Sequence, residues 1–170
     1  MLHLAAERET PVILMHLKGN PKTMQDNPSY ENLLEEVKSF FQERIDKAVS
    51  SGIKREKIIL DPGIGFGKSF QDNLSLIRNL RYFENLGRPI LVGHSRKSFI
   101  GKIMGQLPQD RLEGSLSAAV LSVSQGAHLL RVHDVAATKK AILVADAILN
   151  EKKLDVNSMS NIGENQRYVF

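Results

Sequence analysis

Cysteine is absent from the 170 residues, so the chain can build no disulfide, no thiolate nucleophile and no thiolate metal site. That absence suits a cytosolic protein. Long apolar runs are missing as well: none approaches the roughly 20 residues of a membrane span. Glu7, Arg8 and Glu9 interrupt the first segment early, which does not fit a signal-peptide layout. Aromatic residues make up only 6 %, and they do not alternate with Lys or Arg as on a nucleic-acid platform. No nucleic-acid or membrane partner is expected. The five histidines, His3, His16, His94, His128 and His133, form neither an i, i+4 pair nor an H-E-x-x-H arrangement, so a metal site made by this chain alone is not expected. No G-x-S-x-G elbow occurs, which argues against a serine hydrolase.

What remains suits one domain with a core of its own: 42 % hydrophobic and 25 % charged residues, with a net charge of +4. Much of the positive excess lies on expected helices (Lys38, Arg44, Lys47, Lys139, Lys140), where it solvates an outer face. A few cations sit instead beside glycines at strand ends. That position favours small anionic substrates over polyanions.

Four apolar, strand-like runs each end in a polar cluster. Residues 12–17 lead into Lys18-Gly19-Asn20, 58–60 into Asp61-Pro62-Gly63, 89–92 into Gly93-His94-Ser95-Arg96-Lys97, and 129–132 into His133-Asp134. Continuous apolar runs of this length suit strands buried on both faces. Between them the apolar period is helical. Leu33, Leu34, Val37, Phe40, Phe41, Ile45, Ala48 and Val49 precede a stop at Gly52, and Leu74, Ile77 and Leu80 form a second stripe. A short helix is expected over 98–104, a long one through Leu112, Leu116, Ala119, Val120 and Val123, and a last one through Ala137, Ile142, Ala145 and Ile148, which Asp134 can cap.

The fold class is therefore α/β, with four βα units. Right-handed crossovers would set four parallel strands side by side with helices on one outer side, and chemistry collects at the strands' carboxyl ends. A complete eight-stranded barrel needs about 250 residues, so residues 1–150 read as half of a TIM-type (β/α)8 barrel. Segment 2–9 reads as the helix of an absent unit. Residues 151–170 are polar and are expected to form a poorly ordered tail. The open sheet edges predict a homodimer or pairing with a missing half.

Three clusters carry chemistry. In Asp61-Pro62-Gly63-Ile64-Gly65-Phe66-Gly67-Lys68 the glycines let backbone approach a ligand. Asp61 can accept paired N–H donors from a guanidine-like heterocycle, or it can simply brace the loop. A phosphate loop is a weaker rival, because the G-x-x-x-x-G-K-[ST] spacing is missing. Gly93-His94-Ser95-Arg96-Lys97-Ser98 places two cations and two hydroxyls at a strand-helix junction, which can be an anion site or a basic helix start. Arg131 and His133 share one strand face and can form a fork for phosphate oxygens, with Arg131 also able to stack on a planar ring. His16 is less decisive and can be a core histidine.

Met15-His16-Leu17-Lys18-Gly19-Asn20-Pro21-Lys22-Thr23-Met24-Gln25, residues 61–68, residues 95–101 and residues 131–135 together closely resemble the dihydropteroate synthase family in order and spacing. Leu17 stands where that family often has a second methionine. The resemblance covers almost all of residues 1–150 and implies the C-terminal half of a TIM-type barrel. The family condenses 6-hydroxymethyl-7,8-dihydropterin diphosphate with p-aminobenzoate, releases dihydropteroate and diphosphate for folate synthesis, and is a sulfonamide target.

Carried over by position, the resemblance makes Asp61 the partner of the pterin's amino-pyrimidine edge and Lys97 a donor to the pterin that also lines the p-aminobenzoate side. It makes Arg131 a residue that stacks on the pterin and, with His133, holds the diphosphate. Phe66 and Ser95 match positions near p-aminobenzoate, Met15 and Gly93 match the pocket floor, and Gly65 and Arg96 complete the substrate-binding set. Magnesium is implied through the substrate's diphosphate and a first barrel half whose motifs do not occur here, so turnover by this chain alone is not expected. The alternatives are a non-catalytic pterin-binding half-barrel and a methyltetrahydrofolate methyltransferase-like domain. The anion-binding residues argue against the latter, because a methyl donor has no diphosphate to hold.

Overall fold

The computed structural model describes residues 1–20, 24 and 28–150. Pro21, Lys22, Thr23 and Gln25 of the first motif, and the expected tail 151–170, lie outside the described residues. The strands are β1 (Val12–Met15), β2 (Ile58–Asp61), β3 (Leu91–Val92) and β4 (Leu129–Leu130). The helices are α1 (Leu2–Glu7), α2 (Leu33–Ser50), α3 (Phe70–Arg78), α4 (Ser98–Met104), α5 (Leu112–Ser124) and α6 (Val135–Leu149). None of these helices is long and apolar enough to cross a membrane.

β1 pairs in parallel with β2, and β3 with β4. A parallel bridge between Leu60 and Ile90 joins the two pairs, and Leu60 N–H donates to the Pro89 carbonyl at 2.9 Å. The order is thus 1-2-3-4 with every strand parallel, the wall of a partial (β/α)8 barrel. Regular strand is shorter than the apolar runs. Beyond it the ladder continues by single bonds, such as His16 N–H to the Asp61 carbonyl at 2.9 Å and Arg131 N–H to the Val92 carbonyl at 3.0 Å.

Period-two alternation sorts the strands into two faces. Ile58, Leu60, Ile90, Val92 and Leu130 belong to the buried core, with Val12, Leu14 and Val132 packed on its margin. This face meets the helices. The opposite face, which a closed barrel turns inward, holds Ile13 at 53 % exposure and half-buried Met15 and Ile59. The expectation of strands buried on both faces therefore fails for β1: Ile13 on its inner face stands exposed, and Met15 is only half-buried.

Helix α2 shows how the outer layer is held. Asn32 caps it by accepting from Glu35 N–H, and Val37, Phe41, Ile45 and Ala48 form its buried stripe. Fully burying a side chain of the size of Phe41 or Ile45 contributes roughly 2 kcal/mol, so packing outweighs intrinsic propensity here. The stripe through Leu74, Ile77 and Leu80 is interrupted. α3, opened by a reciprocal Ser69/Asp72 capping box, ends at Arg78, and Leu80 begins a tighter 3₁₀ turn, although its side chain is still buried.

Candidate functional site

Asp61 is the last residue of β2 and lies on the inner face, yet it is only 2 % exposed. Its Oδ1 accepts from Gly63 N–H at 2.8 Å, which leaves Oδ2 facing Arg131 Nη2 at 3.9 Å. Burial raises its pKa; the Gly63 hydrogen bond and the charges of Arg131, Lys97 and Lys68 pull the other way. Arg131 starts from the end of β4 and must cross β3 to reach β2. Gly93 makes that crossing possible: a Cβ there would meet Arg131 Nη2 at 3.1 Å and Nε at 3.2 Å. The glycine is a saddle for the guanidinium.

Lys97 approaches from the other side. Its Nζ donates to the Ile64 carbonyl and lies 4.4 Å from the Phe66 ring centroid. Burial lowers its pKa to about 8, with Asp61 raising it and Arg131 lowering it. A Cβ at Gly65 would touch the Lys97 chain at 3.0 Å, so this glycine is again a bed for a long cation. Met15, in register with Asp61 across β1 and β2, adjoins Gly63. The structure thus brings together Met15, Asp61, Gly65, Phe66, Gly93, Lys97 and Arg131 at the strands' carboxyl ends.

Ser95 and His133 form a neighbouring pair. Ser95 Oγ accepts from His133 N–H at 3.2 Å and lies 3.0 Å from His133 Nδ1. If the hydroxyl proton goes to Nδ1, the ring's own proton sits on Nε2 as a donor for an anionic oxygen. Arg96 is placed differently from the other expected anion-binding residues. Its Nε and Nη2 grip the Asp134 carboxylate at 3.0 and 2.6 Å. Asp134 in turn occupies the N-cap position of α6 but makes no side-chain cap bond. The expected cap gives way because a two-point, charge-assisted pair is stronger than one bond to a backbone amide.

His16 is the buried, hydrogen-bonded histidine that its sequence position allows, whereas Lys68 and Asn73 hold the site with no role foreseen for them. Lys68 is 3 % exposed; its Nζ meets His16 Nδ1 at 2.9 Å and donates to the Phe66 and Gly63 carbonyls at 3.0 and 3.4 Å. Burial lowers its pKa to about 8. His16, held at about 4 by burial first and by the Lys68 charge next, is the neutral acceptor in that contact. Asn73 of α3 accepts from Gly65 N–H at 2.6 Å. The one signal pointing to this layer was Lys68 itself, a cation closing a glycine run.

A family model described as "Pterin binding enzyme" matches residues 1–133. The chain is 48 % identical over 152 residues to dihydropteroate synthase from Escherichia coli strain K12, covering 89 % of this chain and 54 % of that protein. It is 38 % identical over 151 residues to the Bacillus subtilis dihydropteroate synthase, covering 89 % and 50 %. Among solved structures, the Yersinia pestis dihydropteroate synthase in a sulfonamide drug complex superposes with a TM-score of 0.87 at 42 % identity, covering 89 % of this chain and 55 % of that one. The Xanthomonas albilineans enzyme in complex with 7,8-dihydropteroate gives 0.80 at 42 % identity, covering 86 % and 53 %. The chain spans about half the length of these relatives. With the match to the family model running through all four strands up to His133, this chain belongs to the pterin binding enzyme family.

Proposed function

We propose that this chain supplies the C-terminal half of a dihydropteroate synthase site, which joins 6-hydroxymethyl-7,8-dihydropterin diphosphate to p-aminobenzoate. The observation that carries this reading is the meeting of a buried carboxylate, a depressed-pKa lysine and an open arginine over two glycine beds. A carboxylate whose second oxygen is held no closer than 3.9 Å by the arginine suits the N–H edge of a pterin, and a guanidinium above a glycine can stack on a flat ring.

In the reaction, the bond between the pterin methylene carbon and the diphosphate oxygen breaks first, leaving a cationic methylene. The arylamine nitrogen then attacks that carbon, and the proton it sheds passes to the released diphosphate. Asp61 offsets positive charge in the ring, while Arg131 and His133 stabilise charge gathering on the leaving oxygens. Lys97 orients the ring. No side chain becomes covalently attached. Magnesium would enter with the diphosphate; among the described residues no three His, Asp or Glu side chains gather to hold an ion, so no step is assigned to it. The cysteine-free composition suits a cytoplasmic enzyme.

The test is formation of 7,8-dihydropteroate by this chain alone and after mixing with the remaining half of a relative such as the Escherichia coli enzyme. Product is expected only in the mixture. A mixture that forms folded complex but no product would remove the reading.

A further inference from the structure

We infer that Arg96 is a positioning residue, which through Asp134 ties the loop after β3 to the loop after β4 and so aims Lys97, Arg131 and His133 at one ligand. The inference rests on the pterin-site reading above but assigns Arg96 a role other than touching the substrate. Among the described residues, Arg96 and Glu9 are the two non-glycine residues with positive φ, at 57° and 50°. A left-handed arginine persists only where its surroundings over-determine it.

They do so at three points. Arg96 N–H donates to Ser115 Oγ at 2.9 Å, and its carbonyl accepts from Arg111 Nη1 at 2.9 Å. Its guanidinium is forked onto Asp134 across 38 residues of sequence. The turn made at Arg96 separates two neighbours that face the site. Ser95 meets His133, and Lys97 meets Ile64 and Phe66. The Asp134 end of the tie lies next to His133 and three residues from Arg131. One ion pair thus sets the separation of the lysine and the arginine that must share a ligand.

Reversal of the pair tests this. Arg96→Glu, Asp134→Arg and the double variant are compared by amide hydrogen exchange over residues 94–98 and 131–135 without ligand, and by affinity for 7,8-dihydropteroate and for inorganic diphosphate. Each single change is expected to speed exchange in both segments and to weaken dihydropteroate binding by about tenfold, with the double variant restoring both to within about threefold. Asp134→Asn, which keeps the shape without the charge, gives the same direction if a reversed chain fails to fold. The inference is overturned if exchange does not respond to the single changes. It is also overturned if Arg96→Glu loses diphosphate affinity that Asp134→Arg does not return, because Arg96 would then be touching the anion itself. If exchange follows the pair while the unaltered chain takes no dihydropteroate, the tie between loops stands and the pterin reading fails.

Discussion

At the scale of single residues, the site is built by burying groups that prefer water and by choosing which of them stay charged. His94 is the plainest case. It is fully buried at 0 % exposure, its Nε2 bonds the Ser115 carbonyl at 3.0 Å, and its Nδ1 has no hydrogen-bond partner among the described residues. Burial pushes its pKa from 6.5 down to about 4. His16 is likewise lowered, to about 4. Both are neutral in the fold at neutral pH, whereas the unfolded chain takes protons near 6.5. Their contribution to stability is therefore complete above that value and is lost as pH falls from 6.5 towards 4. Each tenfold weakening of proton affinity corresponds to about 1.36 kcal/mol, so the loss is roughly 3 kcal/mol per histidine. Urea midpoints at pH 7 and pH 5 should differ clearly for the natural chain, and His94→Gln should narrow the gap by close to half. Equal midpoints at both pH values in the natural chain would contradict this assignment.

At the scale of elements, the glycine loop 63–67 is moulded onto the exit of β1. A Cβ at Gly63 would collide with the His16 carbonyl oxygen, and one at Gly67 with the Lys18 carbonyl oxygen. Gly63 also holds φ at 70°. Gly63→Ala should therefore cost about 3 kcal/mol, combining left-handed strain with overpacking; chemical denaturation checks it, and a loss under about 1 kcal/mol would show that the loop can move aside. This loop also marks how far the sequence could be read. Asp61, Lys97 and Arg131 were legible because strand-end position is a local pattern, and parallel βα topology then brings strand ends together. The braces were not legible. Asn73 to Gly65, Lys68 to His16, and Arg111 and Ser115 to Arg96 are contacts between separate elements, and no periodicity encodes which partner a polar side chain will find. Asp134 illustrates the competition: by the local rule it should cap α6, and a guanidinium 38 residues away takes its carboxylate instead. The open inner face of β1 was missed for a related reason. An apolar run looks the same whether its second face is covered or awaits cover.

At the scale of the whole molecule, the described residues form a curved wall with two strand edges. β1 pairs only with β2 and β4 only with β3 among them, and Ile13 stands 53 % exposed on the concave side. An apolar groove of about 600 Å³ between α3, α4 and α5, lined in part by Leu74, Ile77, Ile103, Met104 and Leu121, adds further uncovered surface. Such surface favours association. Light scattering should give a mass above the 19.0 kDa of one chain, rising with concentration; a monodisperse single chain would contradict that expectation. For the proposed reaction, Asp61, Lys97 and Arg131 must hold one pterin together, as the 3.9 Å approach of Arg131 to Asp61 and the influence of the Asp61 charge on Lys97 suggest. Calorimetric titration of the pterin diphosphate into the natural chain, Asp61→Ala and Arg131→Ala tests this most directly. Binding by the natural chain and a drop of at least about a hundredfold in each folded variant is the predicted result. Affinity that is unchanged in either variant would contradict it.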